Sequence, residues 1–306
     1  MMSNEYIIKI ENLKKSYKSL TAIEDINFTV SKGELFGLIG PDGAGKTTIF
    51  RILTTLLIQD EGIASVEEFD VVKDYRKIRQ LMGYMPGRFS LYLDMTVREN
   101  LEFFATIFGT TIEENYHLIK DIYQQIEPFK DRLAGNLSGG MKQKLALSCA
   151  LIHKPSVLIL DEPTTGVDAV SRKEFWDMLI KLKKQGITIL VSTPYMDEAG
   201  LCDRVGLIQN GRMLSINKPE QIVDDFPKKL WAARSTNIYK LLQDLRAYEN
   251  LYSVYPFGSK VHFVKEEKTA ETSVIRNYLR EKGHDNIEIE EVTPTIEDCF
   301  IDLMTN

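Results

Sequence analysis

The stretch GLIGPDGAGKTTIF, residues 37–50, commits the chain to a strand, a tight phosphate-binding loop and a helix in immediate succession. ELFGLIG (34–40) is a short apolar run suited to a strand buried on both faces, and TTIFRILTTLL after the loop suits a helix packed on it. Between them, Gly40, Gly43, Gly45, Lys46 and Thr47 satisfy G-x-x-x-x-G-K-[ST]. The glycines let backbone N–H groups wrap phosphates, Lys46 reaches the β and γ oxygens, and the Thr47 hydroxyl is placed to hold Mg²⁺. The predicted cradle therefore runs through Gly40, Pro41, Asp42, Gly43, Ala44, Gly45, Lys46, Thr47 and Thr48. A carboxylate is unfavourable beside bound anions at a helix N-terminus, so the Asp42 side chain is expected to point away from them.

Two further stretches carry chemistry. VLILDEP (157–163) is an apolar strand ending in two acids, which places them at the carboxyl edge of a sheet beside the phosphates. Asp161 is expected to hold Mg²⁺ through water, and Glu162, with Lys46 the predicted catalytic pair, to orient and deprotonate the attacking water. LSGGMKQ (137–143) precedes the small-residue run KLALSCALI, so Ser138, Gly139 and Gly140 fall at a helix N-terminus that favours anions. One ATP already has its cradle in the first loop. A second element makes sense if it caps a nucleotide held by another subunit.

P-loop, LSGG, the DEP acids and GVD, in this order, resemble the ATP-binding subunit of an ABC transporter over residues 5 to about 217. The resemblance implies an α/β P-loop NTPase core with a helical subdomain, ATP and Mg²⁺ as ligands, and peripheral attachment at the cytoplasmic face of the cell membrane through a multi-spanning permease subunit. It places Tyr17 where an aromatic stacks on adenine, and Asp168, in TTGVDA, where an aspartate crosses the dimer interface. Two positions depart from the family pattern. Gly87 follows GYMP where a glutamine normally touches Mg²⁺ and the attacking water, and Pro194 follows ITILVST where a histidine normally contacts the γ-phosphate. With Lys46, Asp161 and Glu162 retained, the site reads as kept for binding and relaxed for cleavage. The intact LSGG then serves a competent site on a second ATPase subunit of different sequence, in preference to a homodimer.

Residues 88–155 read as the helical subdomain, with a capping box at Thr96 and Glu99 opening TVRENLEFFATIFG. Within it, Arg88 to Leu93, with Phe89 and Tyr92, resembles the surface that receives a short helix of the membrane subunit. The ATP-binding domain is expected over 1–218. From 219 to 306 a small α+β accessory domain is expected: LWAARS, NIYKLLQDL, LYSVYPF, KVHFVK, AETSVIRNYLR and NIEIEEV suggest a split βαββαβ sandwich, with Pro294 in the first turn of a closing helix.

Composition bounds the rest. A net charge of −6 over 306 residues argues against a protein that wraps nucleic acid, and none is expected as a partner. Cys149, Cys202 and Cys299 are far apart without metal-type spacing and read as reduced thiols. The opening MMSNEYIIKIENLKKSY lacks the apolar core of a signal peptide and reads as a strand, and no apolar run reaches the roughly 18 residues of a membrane span. Non-transport ABC proteins of the translation or DNA-repair type are the rival reading, as is a regulatory ATP-binding subunit. The translation type carries two cassettes per chain and the repair type a long coiled coil, and this sequence has one cassette and no sustained heptads.

Overall fold

The computed structural model describes residues 5–249, 251–265 and 271–305, so the first four residues of the expected opening strand and Ala270 lie outside the described residues. In chain order the elements are β1 (Tyr6–Tyr17), β2 (Leu20–Ser31), β3 (Leu35–Ile39), α1 (Lys46–Leu53), β4 (Glu61–Val66), β5 (Phe69–Asp70), α2 (Tyr75–Leu81) and β6 (Met82–Met85). Three longer helices follow, α3 (Val97–Ile107), α4 (Ile112–Tyr123) and α5 (Gly139–Leu151), then β7 (Val157–Asp161), α6 (Ala169–Lys184), β8 (Thr188–Thr193), β9 (Arg204–Gln209) and β10 (Arg212–Asn217). The remainder comprises α7 (Pro219–Asp224), β11 (Leu230–Arg234), α8 (Ile238–Arg246), β12 (Leu251–Phe257), β13 (Lys260–Lys265), α9 (Thr272–Glu281), β14 (Glu288–Val292) and α10 (Ile296–Thr305).

Every residue of β3, β7 and β8 is buried, as continuous apolar runs covered on both faces must be. They form the centre of a six-stranded sheet in the order β10-β9-β3-β8-β7-β6, parallel except for β10. A second, antiparallel sheet, β2-β1-β4-β5, faces α1 across a shared core that includes Ile8, Ile10, Ile26, Phe28, Ile49, Phe50 and Leu53.

Gly45 caps α1 at φ 107, and a Cβ there would lie 2.6 Å from Ile23 Cγ2 and 2.8 Å from the Ala22 carbonyl oxygen. Only glycine lets the loop press this closely on β2. The helix is shorter than the sequence predicts, stopping at Leu53 rather than Leu57. The Thr54 hydroxyl donates to the Phe50 carbonyl, Thr55 turns left-handed at φ 62, and the N–H groups of Thr55 and Leu56 donate to Ile52 and Arg51. This Schellman closure satisfies the last carbonyls and ends the helix despite its apolar continuation.

In the region expected to be helical, the capping box at Thr96 and Glu99 forms, and Thr111 with Glu114 makes a second one on α4. The chain divides into two compact units, Met1–Pro219 and Glu220–Asn306. In the second, the antiparallel sheet order β12-β13-β11-β14 is the split βαββαβ arrangement that the alternation suggests. Leu241, Leu245, Ile275 and Leu279 of α8 and α9 pack on one sheet face, and Ile301 of α10 packs with Leu230, Tyr255 and Val264 on the other. Pro294 is not in the first helical turn. The Thr295 hydroxyl accepts from Asp298 N and the Asp298 carboxylate accepts from Thr295 N, so Thr295 caps α10 and Pro294 precedes the cap. Among the described residues no helix is long and apolar enough to cross a membrane.

Candidate nucleotide-binding site

The neighbouring carboxyl ends of β3, β8 and β7 bring the P-loop, the Ser192–Thr193 strand end and the acidic pair to one edge of the sheet. Lys46 is buried. Its Nζ donates to the carbonyls of Gly40 (2.7 Å) and Pro41 (3.0 Å) and pairs with Glu162 Oε1 at 3.0 Å. Thr47 Oγ1 donates to Asp161 Oδ1 (3.2 Å), which also accepts from Ser192 Oγ (2.8 Å). Burial pushes the Asp161 carboxyl up from the ordinary carboxylate range, against the hydrogen bonds from Ser192 and Thr47. A divalent cation beside it would favour the charged form again.

Glu162 has a left-handed backbone, φ 49, and its N–H donates to both the carbonyl and the hydroxyl of Ser192. Its side chain pairs with the Lys46 ammonium, the group that phosphate oxygens would also seek. The cleft in front measures about 310 Å³ and is lined by residues 43–48 with Leu20, Thr21, Ala22, Glu162 and Asn210. This size suits a small polar ligand. Thr47 and Asp161 offer hard oxygen ligands of the kind Mg²⁺ takes. Among the described residues no group of three or more His, Cys, Asp or Glu side chains could hold a metal, so an ion here would complete its shell with water and phosphate.

Not every predicted site residue reaches this cleft. Asp42 is exposed and does not line it. Tyr17, 40% exposed, ends β1 opposite Leu20, and the wall on that side is made by residues 20–22 instead. Ser138 caps α5 by accepting from Met141 N, and Asp168 caps α6 by accepting from Val170 N and Ser171 N, bonds that hold its carboxyl below the usual range. Gly140 approaches α6 so closely that a Cβ would lie 2.7 Å from Ser171 Oγ. Ser138, Gly139, Gly140 and Asp168 thus gather around the starts of α5 and α6, away from the cleft lining. Gly87 stands against Asp161, since a Cβ there would lie 3.1 Å from the Asp161 carbonyl oxygen and 3.8 Å from its carboxyl carbon. Sequence reasoning passes over Ser192, which touches both acids, and Asn210, which comes from the turn between β9 and β10. The only signal for Ser192 is its place at the end of the ITILVST strand.

A family model described as ABC transporter matches residues 23–165. The chain is 38% identical over 308 residues to a probable multidrug ABC transporter ATP-binding protein, YbhF, of Escherichia coli (strain K12), covering 98% of this chain and 52% of that one. It is 34% identical over 300 residues to a Nod factor export ATP-binding protein I of Rhizobium sp. (strain N33), covering 97% of this chain and 96% of that one. The chain belongs to the ABC transporter ATP-binding protein family. It spans about half the length of the Escherichia coli relative. Among solved structures it is similar to cbiO1 of Clostridium perfringens, part of the ABC transporter complex cbiONQ, with TM-score 0.65 and 28% identity over 72% of this chain and 92% of that one. It is also similar to the dimeric cassette MJ0796 in a post-hydrolysis state bound to ADP and Pi, with TM-score 0.63 and 25% identity over 69% of this chain and 98% of that one.

On this ABC cassette a second concavity of about 670 Å³ has an apolar lining that includes Met82, Met85, Leu91, Phe104, Phe108 and Cys149. Of the stretch from Arg88 to Leu93, Ser90 and Leu91 line it, whereas Phe89 and Tyr92 do not. Tyr92 is 46% exposed and meets Phe103 edge-on at 4.9 Å, and Phe89 is half-buried with Lys142 Nζ 5.8 Å from its ring centroid.

Proposed function

We propose that this chain is the ATP-binding subunit of an ABC exporter, taking MgATP in the cleft before the P-loop and working as half of a dimer at the cytoplasmic face of a separate multi-spanning membrane subunit. The observation that carries the reading is the cluster of Lys46, Thr47, Asp161 and Glu162 within hydrogen-bond or ion-pair distance at one sheet edge. Export is supported by the names of the relatives, which include multidrug, Nod factor export and linearmycin resistance ATP-binding proteins. Residues 1–218 form the ATP-binding domain in this reading, and 219–306 the accessory domain.

The chemistry follows from the hydrogen bonds described above. A bound triphosphate draws Lys46 Nζ from the Gly40 and Pro41 carbonyls and from Glu162, because phosphate oxygens offer it more charge than a carbonyl does. Glu162, released from that pair, is free to orient and deprotonate water. Thr47 and Asp161 would hold Mg²⁺, which would supply charge neutralisation on the phosphates. In this reading Tyr17 would stack on a base that extends past the wall of residues 20–22, and Ser138, Gly139 and Gly140 would cap the nucleotide of the opposite subunit, with Asp168 facing it across the dimer.

Gly87 and Pro194 supply no polar side chain at the γ-phosphate end, so this chain's own site hydrolyses slowly. A homodimer would carry two such sites, whereas a partner ATPase of different sequence retains a competent one, which favours the heterodimer. The same two positions favour, as second reading, a regulatory ATP-binding subunit. Calorimetry tests the site: wild type binds MgATP and Lys46→Ala does not. Equal binding by both would overturn the assignment.

A further inference from the structure

We propose that Glu198, braced by Arg172, is a positioning residue that holds the loop bearing Glu162 and the loop bearing Pro194 in fixed register at the γ-phosphate end of the cleft. This rests on the ATPase reading above. Glu198 sits on the 3₁₀ turn Met196–Leu201 just after β8 and is 3% exposed. It accepts from the Thr164 hydroxyl at 3.0 Å and from the Thr193 hydroxyl at 2.5 Å. The Thr193 hydroxyl accepts in turn from Tyr195 N at 3.0 Å. A single carboxylate therefore ties the residue two places after Glu162 to the residues on either side of Pro194.

A carboxylate removed from water requires hydrogen bonds and a countercharge. Arg172, on the first turn of α6, brings Nε to 3.8 Å from Glu198 Oε1 and its terminal nitrogen to 3.6 Å from Asp197 Oδ2. Its guanidinium lies 4.6 Å from the centroid of the Tyr195 ring, so it braces the same loop through the ring face. The root of Arg172 is fixed as well, because its N–H donates to the carbonyl of Asp168, the cap of α6.

The clamp matters because Glu162 adopts a left-handed backbone that its surroundings must maintain. Ser192 holds it directly from β8, and Glu198 holds the segment beyond it through Thr164. With glycine at 87 and proline at 194, the aim of Glu162 is what this chain retains for water activation. Neither Glu198 nor Arg172 lines the cleft, so their effect passes through the loops and not through contact with nucleotide.

The test is single-turnover hydrolysis of radiolabelled MgATP by the purified full-length chain, with calorimetric affinity measured in parallel, for wild type, Glu198→Gln, Arg172→Gln, Arg172→Lys and the double variant Arg172→Gln/Glu198→Gln. Displacing Glu162 by a fraction of an ångström lowers the rate constant about tenfold to a hundredfold in each Gln variant. Affinity for MgATP, carried by the P-loop, stays within about threefold. Arg172→Lys, which keeps the charge and loses the planar stacking, falls between. The double variant is no slower than the slower single, because both act through one clamp. Rates within about twofold of wild type, affinity falling in parallel with rate, or additive effects would each overturn the proposal. If Arg172→Gln does not fold, Glu198→Gln, which exchanges one oxygen for an NH₂ group, decides alone. A wild type that binds no MgATP sinks the ATPase reading itself, whereas one that hydrolyses ATP and ignores both substitutions sinks only the clamp.

Discussion

Restoring Gly87→Gln together with Pro194→His should accelerate hydrolysis at this chain's own site. A side chain at position 87 enters directly beside Asp161, with its Cβ 3.1 Å from the Asp161 carbonyl oxygen and 3.8 Å from its carboxyl carbon. Accommodating it requires a shift of a few tenths of an ångström, and no left-handed backbone stands in the way at this glycine. A glutamine carries its amide one methylene beyond that Cβ, which would set a polar group close to the Asp161 carboxyl. Position 194 follows Thr193, the last residue of β8, so an imidazole there projects from the strand end that already borders the P-loop through Gly40 N donating to the Thr193 carbonyl at 3.3 Å. One preorganised group that stabilises developing charge contributes about 10²–10³ in rate, or roughly 3–4 kcal/mol. Two groups on the same phosphate act as a unit and do not add in full, so the double variant is expected to gain about tenfold to a thousandfold over wild type. The assay is steady-state phosphate release by the purified chain, with Glu162→Gln in the repaired background as control; that control should return the rate to background. Brisk hydrolysis by the unmodified chain, or a repaired variant no faster than wild type at equal MgATP affinity, would refute the reasoning.

Two other expectations follow from side chains already placed. Asp298 is fully buried and accepts from His262 Nδ1, Tyr255 OH, and the N–H and hydroxyl of Thr295. Burial pushes its carboxyl up, but these bonds together hold it below its ordinary value of 3.8, so its stabilising contribution is present above that pH and is lost as pH falls through the lower folded value. Asp298→Asn should therefore cost about 3 kcal/mol in urea unfolding at pH 7 and flatten the decline of stability below about pH 4; equal midpoints at pH 7 would contradict it. Replacing Phe89 and Tyr92 by alanine should weaken co-purification with the multi-spanning membrane subunit while MgATP affinity is unchanged, and a variant that unfolds instead would show that these rings serve the core.

The nucleotide site is legible in the sequence to the extent that its chemistry is local. Gly40 to Gly45 form one loop and Lys46 to Thr48 start α1, Asp161 ends one apolar strand with Glu162 next to it, and Ser138 and Asp168, away from the cleft lining, each cap the helix that follows them. In each of these the pattern that marks the residue lies within a few positions along the chain, even where its partners, such as Thr47 and Ser192 for Asp161, do not. The accessory unit is legible for a related reason: in β11 and β13, alternation separates the face packed on α8 and α9 from the face packed on α10, and short turns fix the order of elements. The misread ends have local causes of a subtler kind. Thr55 adopts a left-handed turn that a threonine rarely favours, and Thr295 takes the cap while the proline before it stays outside the helix.

Glu198 lies beyond this kind of reading, because its partners Thr164, Arg172 and Thr193 come from the segment after β7, from α6 and from β8, and they meet only once β7 and β8 are neighbours. A motif reports the groups that must face the ligand, and it is silent on the groups that must face those groups. Gly87 and Pro194 are conspicuous because a missing side chain leaves a gap at a motif position, whereas the buried carboxylate that ties the segment after Glu162 to the segment around Pro194 looks, in sequence, like any acid at the start of a turn. In the proposed reading, with Gly87 and Pro194 at the cleft, orientation of Glu162 would set the rate, and that orientation is a property of the sheet order and not of any one stretch of sequence.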